Sequence, residues 1–297
     1  MSPIKNVAVI GASGNFGTPI TKALQASGFK ITIVTREAST TVHPPDISTI
    51  RTEYTLEALT KALNNQDAVV CVVGPGGVPL QKTFIDAAEA TGVQRFIIDD
   101  FGWGPDARGF PEFDAIHAVR REGWDHAAKK AKENRNFTWT GLTTGNPIDW
   151  KFPLMGFDVS KHEAIIYDQG KEKFTGTTLA GIGQAVVGTL QHPEETANRF
   201  LKVQSIQTCQ TELLDAFEKI TGEKWKVTRT MSKELIEKGK EENKAAIGGW
   251  VLKLAVSHLY DVGQGRGMVA PSREESDAAL LGVKEERAKH VVAKLLG

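Results

Sequence analysis

The sequence has few cysteines, no excess charge of either sign and little uninterrupted apolar sequence, and each shortage excludes a class of protein. Its 297 residues include only two cysteines, Cys71 and Cys209, which lie far apart in the chain. They provide neither a disulfide framework nor the spacing of a metal site, and we interpret them as reduced thiols of an intracellular protein. Because 36 basic residues balance 36 acidic ones, no nucleic-acid or anionic-membrane partner is expected.

The one long apolar stretch near the C-terminus is too short and too polar to span a membrane. It covers residues 245–260 and is interrupted by Lys253 and His258. We expect no signal peptide, since the first predicted strand begins almost at the initiator methionine and is followed by glycines instead of a cleavage site. These features predict a cytoplasmic protein whose partner is a small-molecule substrate, and a homodimer is kept as an open alternative for its assembly.

The sequence does contain a glycine-rich turn near its start, N-V-A-V-I-G-A-S-G-N-F-G at residues 6–17. The apolar run at residues 7–10 predicts a strand, and the pattern at residues 20–24 predicts a helix directly after the turn. This order is typical of a dinucleotide site, in which main-chain N–H groups and the helix N-terminus hold the pyrophosphate. The predicted cofactor-binding residues of the turn are Gly11, Ser13, Gly14, Asn15, Phe16 and Gly17.

The end of the second predicted strand indicates which dinucleotide binds. In a Rossmann unit this strand end faces the adenosine ribose, and an acidic side chain there would hold the free 2′-hydroxyl of NAD. Here the strand ends in Arg36, whose planar guanidinium suits a 2′-phosphate. The residue predicts NADP(H) as the cofactor; the alternative is a solvated arginine in a loop.

Two further strand ends extend the predicted cofactor site. A nearly continuous apolar run at residues 67–73 stops at Gly74, Pro75 and Gly76, where the second half of a dinucleotide would pass, because ligands of open α/β sheets bind outside the carboxyl ends of the strands. The alternative is a loop without a ligand. The strand predicted at residues 95–98 ends in D-D-F-G, and we add Asp100 and Phe101 to the cofactor-binding residues.

Strands and helices alternate through the first half of the chain, which predicts a parallel sheet with right-handed crossovers. Further strands are predicted at residues 29–35, 47–54 and 137–142, and helices at residues 56–63, 81–90 and 113–133. The predicted fold class is α/β, a doubly wound Rossmann sheet with a second, smaller α+β domain. We place an NADP-binding domain at residues 1–148 and a substrate-binding domain at residues 149–297. Within the second range, residues 181–221 are expected to return to the NADP-binding domain.

The second region has weaker patterns. Residues 164–167 and 174–179 predict a hairpin that turns at Gly170. A helix is predicted at residues 183–190, followed by a strand at residues 200–206 that returns to the first sheet. A helix at residues 212–221 and a mostly helical C-terminal third complete the prediction.

These motifs together resemble the isoflavone reductase-like branch of the NmrA-like family of atypical short-chain dehydrogenases, especially its fungal members. The resemblance is carried by G-A-S-G-N-F-G, by the T-R strand end, by R-F-I-I before F-G, and later by G-I-G and T-G-E-K-W. It implies a Rossmann domain, an NADPH site at these motifs and a second domain that forms a cleft for a small organic substrate. It also implies a helix lysine after the F-G loop, but the matching position here is Ile116 or Gly123.

Hydride transfer usually needs a proton donor beside the cofactor. His117 and His126 lie next to the two positions at which the lysine was expected, and they are the predicted catalytic residues. Lys129 and Lys130 are weaker candidates, because a run of lysines most simply forms a solvated helix face. Tyr167 and Lys171 match Y-x-x-x-K, but that pair requires a helix, and we reject it because Gly170 and the strand patterns place it in a hairpin.

Aromatic and amide groups at the expected cleft suit a flat, largely apolar substrate. Trp103, Asn146 and Trp150 are the predicted substrate-binding residues, although the two tryptophans would equally fill a seam between the domains. We find no carboxylate pair, no nucleophile elbow and no cluster of metal ligands. The prediction is an NADPH-dependent reductase of a small aromatic or heterocyclic metabolite; a non-catalytic NADP(H) sensor and an isomerase or epimerase with a tightly held cofactor are the alternatives.

Overall fold

A computed structural model describes residues 2–105, 109–150 and 152–297. Its strands, in chain order, are β1 Asn6–Ile10, β2 Lys30–Arg36, β3 Ser48–Thr52, β4 Ala68–Cys71, β5 Arg95–Ile97, β6 Thr138–Thr143, β7 Phe157–Asp158, β8 Glu163–Tyr167, β9 Phe174–Gly176, β10 Arg199–Lys202, β11 Ile206–Thr208 and β12 Lys226–Thr230. Its α-helices are α1 Gly17–Ala26, α2 Leu56–Ala62, α3 Gln81–Ala90, α4 Asp114–Glu133, α5 Leu179–Gln191, α6 Gln210–Thr221, α7 Ser232–Lys244, α8 Trp250–Ser257 and α9 Ala288–Leu296. None of the described helices is both long and apolar enough to cross a membrane.

The main sheet is seven-stranded and parallel, with the order β10-β6-β5-β4-β1-β2-β3 in the described chain. Apolar side chains of α1 and α5, such as Leu24 and Val186, pack on one face of the sheet. Side chains of α2, α3 and α4, such as Leu59, Phe84 and Trp124, pack on the other. Both faces are therefore buried, which is why β4 is apolar along its whole length and β1 is apolar after Asn6. The Rossmann prediction is confirmed.

The rest of the chain forms two small sheets around a separate apolar core. β8 pairs with β7 in an antiparallel arrangement and with β12 in parallel, while β9 pairs with β11. The predicted hairpin of residues 164–167 and 174–179 is wrong, because its two strands belong to different sheets and Leu179 begins α5 behind the Thr178 cap. The turn itself is present, since Gly170 has φ of +67°.

Residues 181–221 divide between the two parts of the fold. β10 extends the main sheet beside β6, and α5 packs against α1. β11 and α6 lie with the second core, where Leu213 and Phe217 are buried. The predicted strand at residues 200–206 thus corresponds to β10 and the start of β11, which belong to different sheets.

A third packing region joins the parts. Phe110 and Phe113, which precede α4, pack against Leu254 and Trp250 of α8. This contact places α8 above the carboxyl ends of β4 and β5.

The Tyr260 hydroxyl offers a test of the second core. It donates to Met155 O at 2.9 Å in a fully buried position, and the ring stacks on Tyr167 at 5.0 Å. Met155 O also accepts from Gln210 Nε2 at 3.1 Å, so Tyr260→Phe leaves no carbonyl unpaired and is expected to lower the free energy of unfolding by about 1 kcal/mol. Urea unfolding measures the change. Tyr54→Phe is the control, because its hydroxyl lies 3.4 Å from Val34 O and its loss should have a smaller effect; equal losses would contradict the assignment.

Candidate functional site

The glycine-rich turn between β1 and α1 is closed too tightly for side chains at two positions. Gly11 has φ of +97°, and a Cβ there would lie 2.2 Å from Val72 O. A Cβ on Gly17 would lie 2.0 Å from Gly11 O. α1 begins at Gly17 with no acidic residue in its first turn, so its free N–H groups keep their positive potential. The turn is therefore a main-chain cradle that suits an anion.

A cavity of about 410 Å³, here named the arginine cavity, opens beside this turn at the ends of β1, β2 and β4. Arg36 lines it together with the side chains of Ser39 and Thr41, and no carboxylate is among the described residues of its wall. Arg51 donates hydrogen bonds to the carbonyl oxygens of Ser39 and Thr41, which fixes this loop. The cavity thus presents the guanidinium group of Arg36 and several hydroxyl groups to a ligand at the end of β2.

A second cavity of about 420 Å³, here named the aromatic cavity, continues from the first. The two share the wall residues Gly14, Val72, Val73, Gly74 and Pro75. Phe16 lies 6.2 Å from Phe101 and 5.9 Å from Trp150 between ring centroids. A side cavity of about 110 Å³ shares Trp103 and Trp150 with the aromatic cavity and includes Asn146. The arrangement offers flat apolar walls to a ring-shaped ligand.

Two adjacent buried carboxyl groups, Asp99 and Asp100, lie in the wall of the aromatic cavity at the end of β5. The Oδ2 atom of each has no hydrogen-bond partner in the described chain. Arg120 of α4 donates to Asp99 O at 2.8 Å, and its Nη1 lies 3.7 Å from Asp99 Oδ2. The sequence-based statement that no carboxylate pair is present is wrong, because these neighbours both reach one cavity.

Burial keeps both carboxyl groups from ionising readily. It raises the pKa of Asp99 to about 7, against the opposing charge of Arg120. It raises the pKa of Asp100 to about 6, although Arg120 and the N–H of Gly102 favour the ionised form. A group that holds its proton near neutral pH can act as a general acid.

The structure separates the two predicted catalytic histidines. His117 lines the aromatic cavity, its Nδ1 is buried without a hydrogen-bond partner in the described chain, and burial followed by the charge of Arg120 lowers its pKa. His126 lies on another face of α4, where Nε2 contacts Asp86 Oδ1 at 2.7 Å, and it is not part of the described cavity wall. His126 is therefore removed from the candidate site, since its ring serves a surface ion pair.

The lysine alternatives also lie in surface ion pairs. Lys130 contacts Asp86 at 3.1 Å, and Lys129 lies 3.9 Å from Glu133. Tyr167 ends β8 and is followed by a turn instead of a helix, as the rejection of the Y-x-x-x-K match requires. These residues contribute nothing to the two main cavities, whose described walls do not include them.

Sequence reasoning missed His258, which follows α8 directly and also lines the aromatic cavity. It is only 5% exposed, and burial followed by the charge of Arg266 lowers its pKa to about 4. The one available signal was a histidine in an otherwise apolar stretch, which was used only to argue against a membrane span.

Most of the predicted site residues meet in these cavities. The wall residues of the two main cavities that were predicted from sequence are Gly11, Ser13, Gly14, Asn15, Phe16, Arg36, Gly74, Pro75, Gly76, Asp100, Phe101, Trp103, His117 and Trp150. Gly17 lies under the turn, and Asn146 is confined to the side cavity, where its Nδ2 donates to Met155 Sδ at 3.4 Å.

The chain is similar to known proteins over nearly its whole length. A family model described as NAD(P)H-binding matches residues 11–193. Oxidoreductase poxI of Penicillium oxalicum is 61% identical over 288 residues, which are 96% of this chain and 92% of that protein. The solved structure of AtPrR2 with NADP⁺ and (+)-pinoresinol has a TM-score of 0.78 at 17% identity, covering 99% of this chain and 100% of the other. An isoflavone reductase structure has a TM-score of 0.75 at 17% identity, covering 98% and 99%.

Proposed function

Since the chain belongs to the NAD(P)H-binding family and is an NAD(P)-dependent oxidoreductase with the fold of an isoflavone reductase, we propose that it uses NADPH to reduce a small aromatic or heterocyclic metabolite. The observation that carries the proposal is the continuous cleft that begins at Arg36, passes the glycine turn and ends among Phe101, Trp103 and Trp150. An oxidoreductase name on the relative at 61% identity favours an enzyme over a sensor that only binds the dinucleotide.

The residues present fit a dinucleotide. The cradle at Gly11 and Gly17, which an added Cβ would fill, and the N-terminus of α1 would hold the pyrophosphate. Arg36 would pair with the 2′-phosphate in the arginine cavity, whose described wall has no carboxylate to repel it. Phe16 and Phe101 would flank the nicotinamide end. When bound, NADPH supplies the hydride.

The chain itself must supply the proton that accompanies a hydride. His117 is the proposed proton donor retained from the sequence, because it lines the aromatic cavity and its buried Nδ1 has no hydrogen-bond partner in the described chain. Its lowered pKa leaves only a minor fraction of the ring protonated near neutral pH, and only this imidazolium form can donate the proton. The protonated carboxyl groups of Asp99 and Asp100 are therefore a second source in the same wall, and their pKa values of about 7 and about 6 suit proton transfer near neutrality.

The wall of the aromatic cavity also supports a proposal for the kind of substrate. It combines Phe113, Trp103 and Trp150 with apolar residues of α8, so we propose a flat and largely apolar molecule. Asp99 and Asp100, when they have lost their protons, would repel a substrate that carries an ionised carboxyl group. Trp103, Asn146 and Trp150 remain the proposed substrate-binding residues, with Asn146 reached through the side cavity.

Arg36→Asp tests the proposed cofactor. Charge-assisted hydrogen bonds contribute roughly 1.5–3 kcal/mol, so the variant should bind NADPH at least about tenfold more weakly while its affinity for NADH stays the same. Isothermal titration calorimetry with each reduced coenzyme gives both dissociation constants.

The matched control is Lys30→Asp, which makes the same charge change at the exposed start of β2. It should leave both affinities unchanged. Equal losses for NADPH and NADH in the Arg36 variant would remove the 2′-phosphate assignment, and no binding of either coenzyme to the unaltered protein would overturn the proposed function.

A further inference from the structure

His258 brings a polar group of the second part of the chain into a cavity built mainly by the Rossmann sheet. It follows the last turn of α8, and its main-chain N donates to Leu254 O at 3.3 Å. The end of β5 and the first turns of α4 with His117 also line the aromatic cavity. The cavity is therefore enclosed by polar groups from both parts of the chain.

Three aromatic rings surround the imidazole of His258. The ring stacks on Phe110 at 5.2 Å between centroids, and Phe113 and Trp103 approach it edgewise at 5.5 and 5.9 Å. Gly109, which has no side chain, lies beside the imidazole ring, and an added Cβ at this position would lie 3.8 Å from His258 Nε2. The orientation of the imidazole is thus fixed by packing.

One nitrogen of the packed imidazole ring has no hydrogen-bond partner in the described chain. This nitrogen is Nε2 of His258, which is buried. The charged groups around it are Arg266 and Asp261 from the following loop and His117 from α4, and their effect together with burial keeps the ring neutral at physiological pH. A neutral imidazole carries one donor and one acceptor nitrogen. An unpaired buried nitrogen costs free energy unless a ligand completes it.

We propose that His258 contacts the substrate directly, through a hydrogen bond between its imidazole and a hydroxyl or carbonyl oxygen carried by a flat, uncharged aromatic ring in the aromatic cavity. The assignment rests on the proposed function for the placement of the substrate. His258 orients the substrate oxygen, whereas the proton that accompanies the hydride comes from the carboxyl groups at the end of β5. A neutral imidazole that lost its N–H proton would become an anion in an aromatic enclosure.

A pair of probes that differ only in one oxygen tests the contact. Naphthol and naphthalene are titrated into protein saturated with NADP⁺, and binding is followed by quenching of tryptophan fluorescence, since Trp103 and Trp150 line the cavity. We expect the unaltered protein to prefer naphthol by roughly three- to tenfold, the ratio that one buried hydrogen bond supplies.

Two substitutions separate the hydrogen bond from the packing. His258→Phe keeps an aromatic ring against Phe110 but has no nitrogen, so the preference should fall to about one while naphthalene affinity stays within roughly twofold. His258→Gln offers an amide at a similar reach and should restore part of the preference. His126→Gln, on the ion-paired face of α4, should change neither affinity.

Two other outcomes would overturn the assignment of His258 as a substrate contact. A naphthol preference that persists in His258→Phe places the hydrogen bond elsewhere, and failure of both probes to bind the loaded protein removes the aromatic substrate contact. Because NADP⁺ uptake is measured first by calorimetry, failure at that earlier step counts against the proposed function and is distinguished from failure of His258.

Discussion

Replacing Gly17 by alanine is expected to destabilise the protein by roughly 3 kcal/mol and to weaken NADPH binding by roughly a hundredfold or more. The added Cβ would lie 2.0 Å from Gly11 O and within 2.9 Å of two main-chain atoms of Ala12. Because every obstructing atom is backbone, no side chain can move aside and the turn between β1 and α1 must open. The N–H groups that are proposed to hold the pyrophosphate would then lose their common direction. Urea unfolding and calorimetry with NADPH measure the two effects.

Two alanine substitutions act as controls for steric fit. A Cβ on Gly14 would lie 3.4 Å from Gly11 O, which is an ordinary contact distance. Gly14→Ala should therefore fold with nearly unchanged stability, and only its affinity for NADPH should fall. Gly248 has no atom within 4 Å of an added Cβ and lies outside both main cavities, so Gly248→Ala should change neither property. A Gly17 variant as stable as the Gly248 variant would show that the turn tolerates a side chain and is not the close-packed cradle described here.

The order of elements up to β6 could be predicted because its signals are local. A buried parallel strand is a short apolar run, and each helix between two strands shows its own amphipathic period. The prediction of a helix at residues 81–90 coincides with α3, and that of a strand at residues 7–10 differs from β1 by one residue. No knowledge of distant pairing is needed, since parallel strands linked by right-handed crossovers lie in one sheet by topology alone.

The second part of the fold could not be predicted in the same way, since its pairings are distant in sequence. β8 binds β12, whose register joins Glu163 to Lys226 and Tyr167 to Thr230. The hairpin pattern around Gly170 correctly indicated a turn, but a turn does not specify which strand follows it into the sheet. Neither strand of the expected hairpin is paired with the other: β8 lies between β7, which directly precedes it, and the distant β12, while β9 pairs with β11.

The residues of the candidate site likewise differ in whether local sequence predicts them. The glycine turn and the strand that ends at Arg36 are each recognised from a short continuous stretch of sequence. The structure places both in one continuous cleft. Arg120 and His258 reach that cleft from α4 and α8, which are remote from the motifs and have no signature of their own. Their roles depend on how α8 packs against Phe110 and Phe113, which no local pattern specifies.

The buried carboxyl groups lead to a prediction for stability as a function of pH. Burial raises the pKa of Asp100 in the folded protein to about 6, from the ordinary value of 3.8 that applies when the chain is unfolded. Between these values the folded state binds the proton more tightly than the unfolded state, so the contribution is fully present below the unfolded pKa and is lost as pH rises through the folded pKa. The direction is opposite to that of a carboxylate in a salt bridge.

Asp100→Asn should therefore have nearly the stability of the unaltered protein at about pH 4 and exceed it by on the order of 3 kcal/mol at about pH 8. The asparagine keeps the hydrogen bond that Asp100 Oδ1 accepts from Gly102 N at 3.2 Å, so the difference reports the ionisation of the carboxyl group. Arg120 favours the ionised form of both carboxyl groups, and Arg120→Met should steepen the fall in stability with pH. Urea midpoints measured without coenzyme across this range provide the test, with Asp125→Asn at an exposed position of α4 as the control. A constant difference between the Asp100 variant and the unaltered protein at all pH values would mean that Asp100 has the same pKa in the folded and the unfolded protein. The carboxyl group would then be ionised near neutral pH, and the proposal that it supplies a proton would fail.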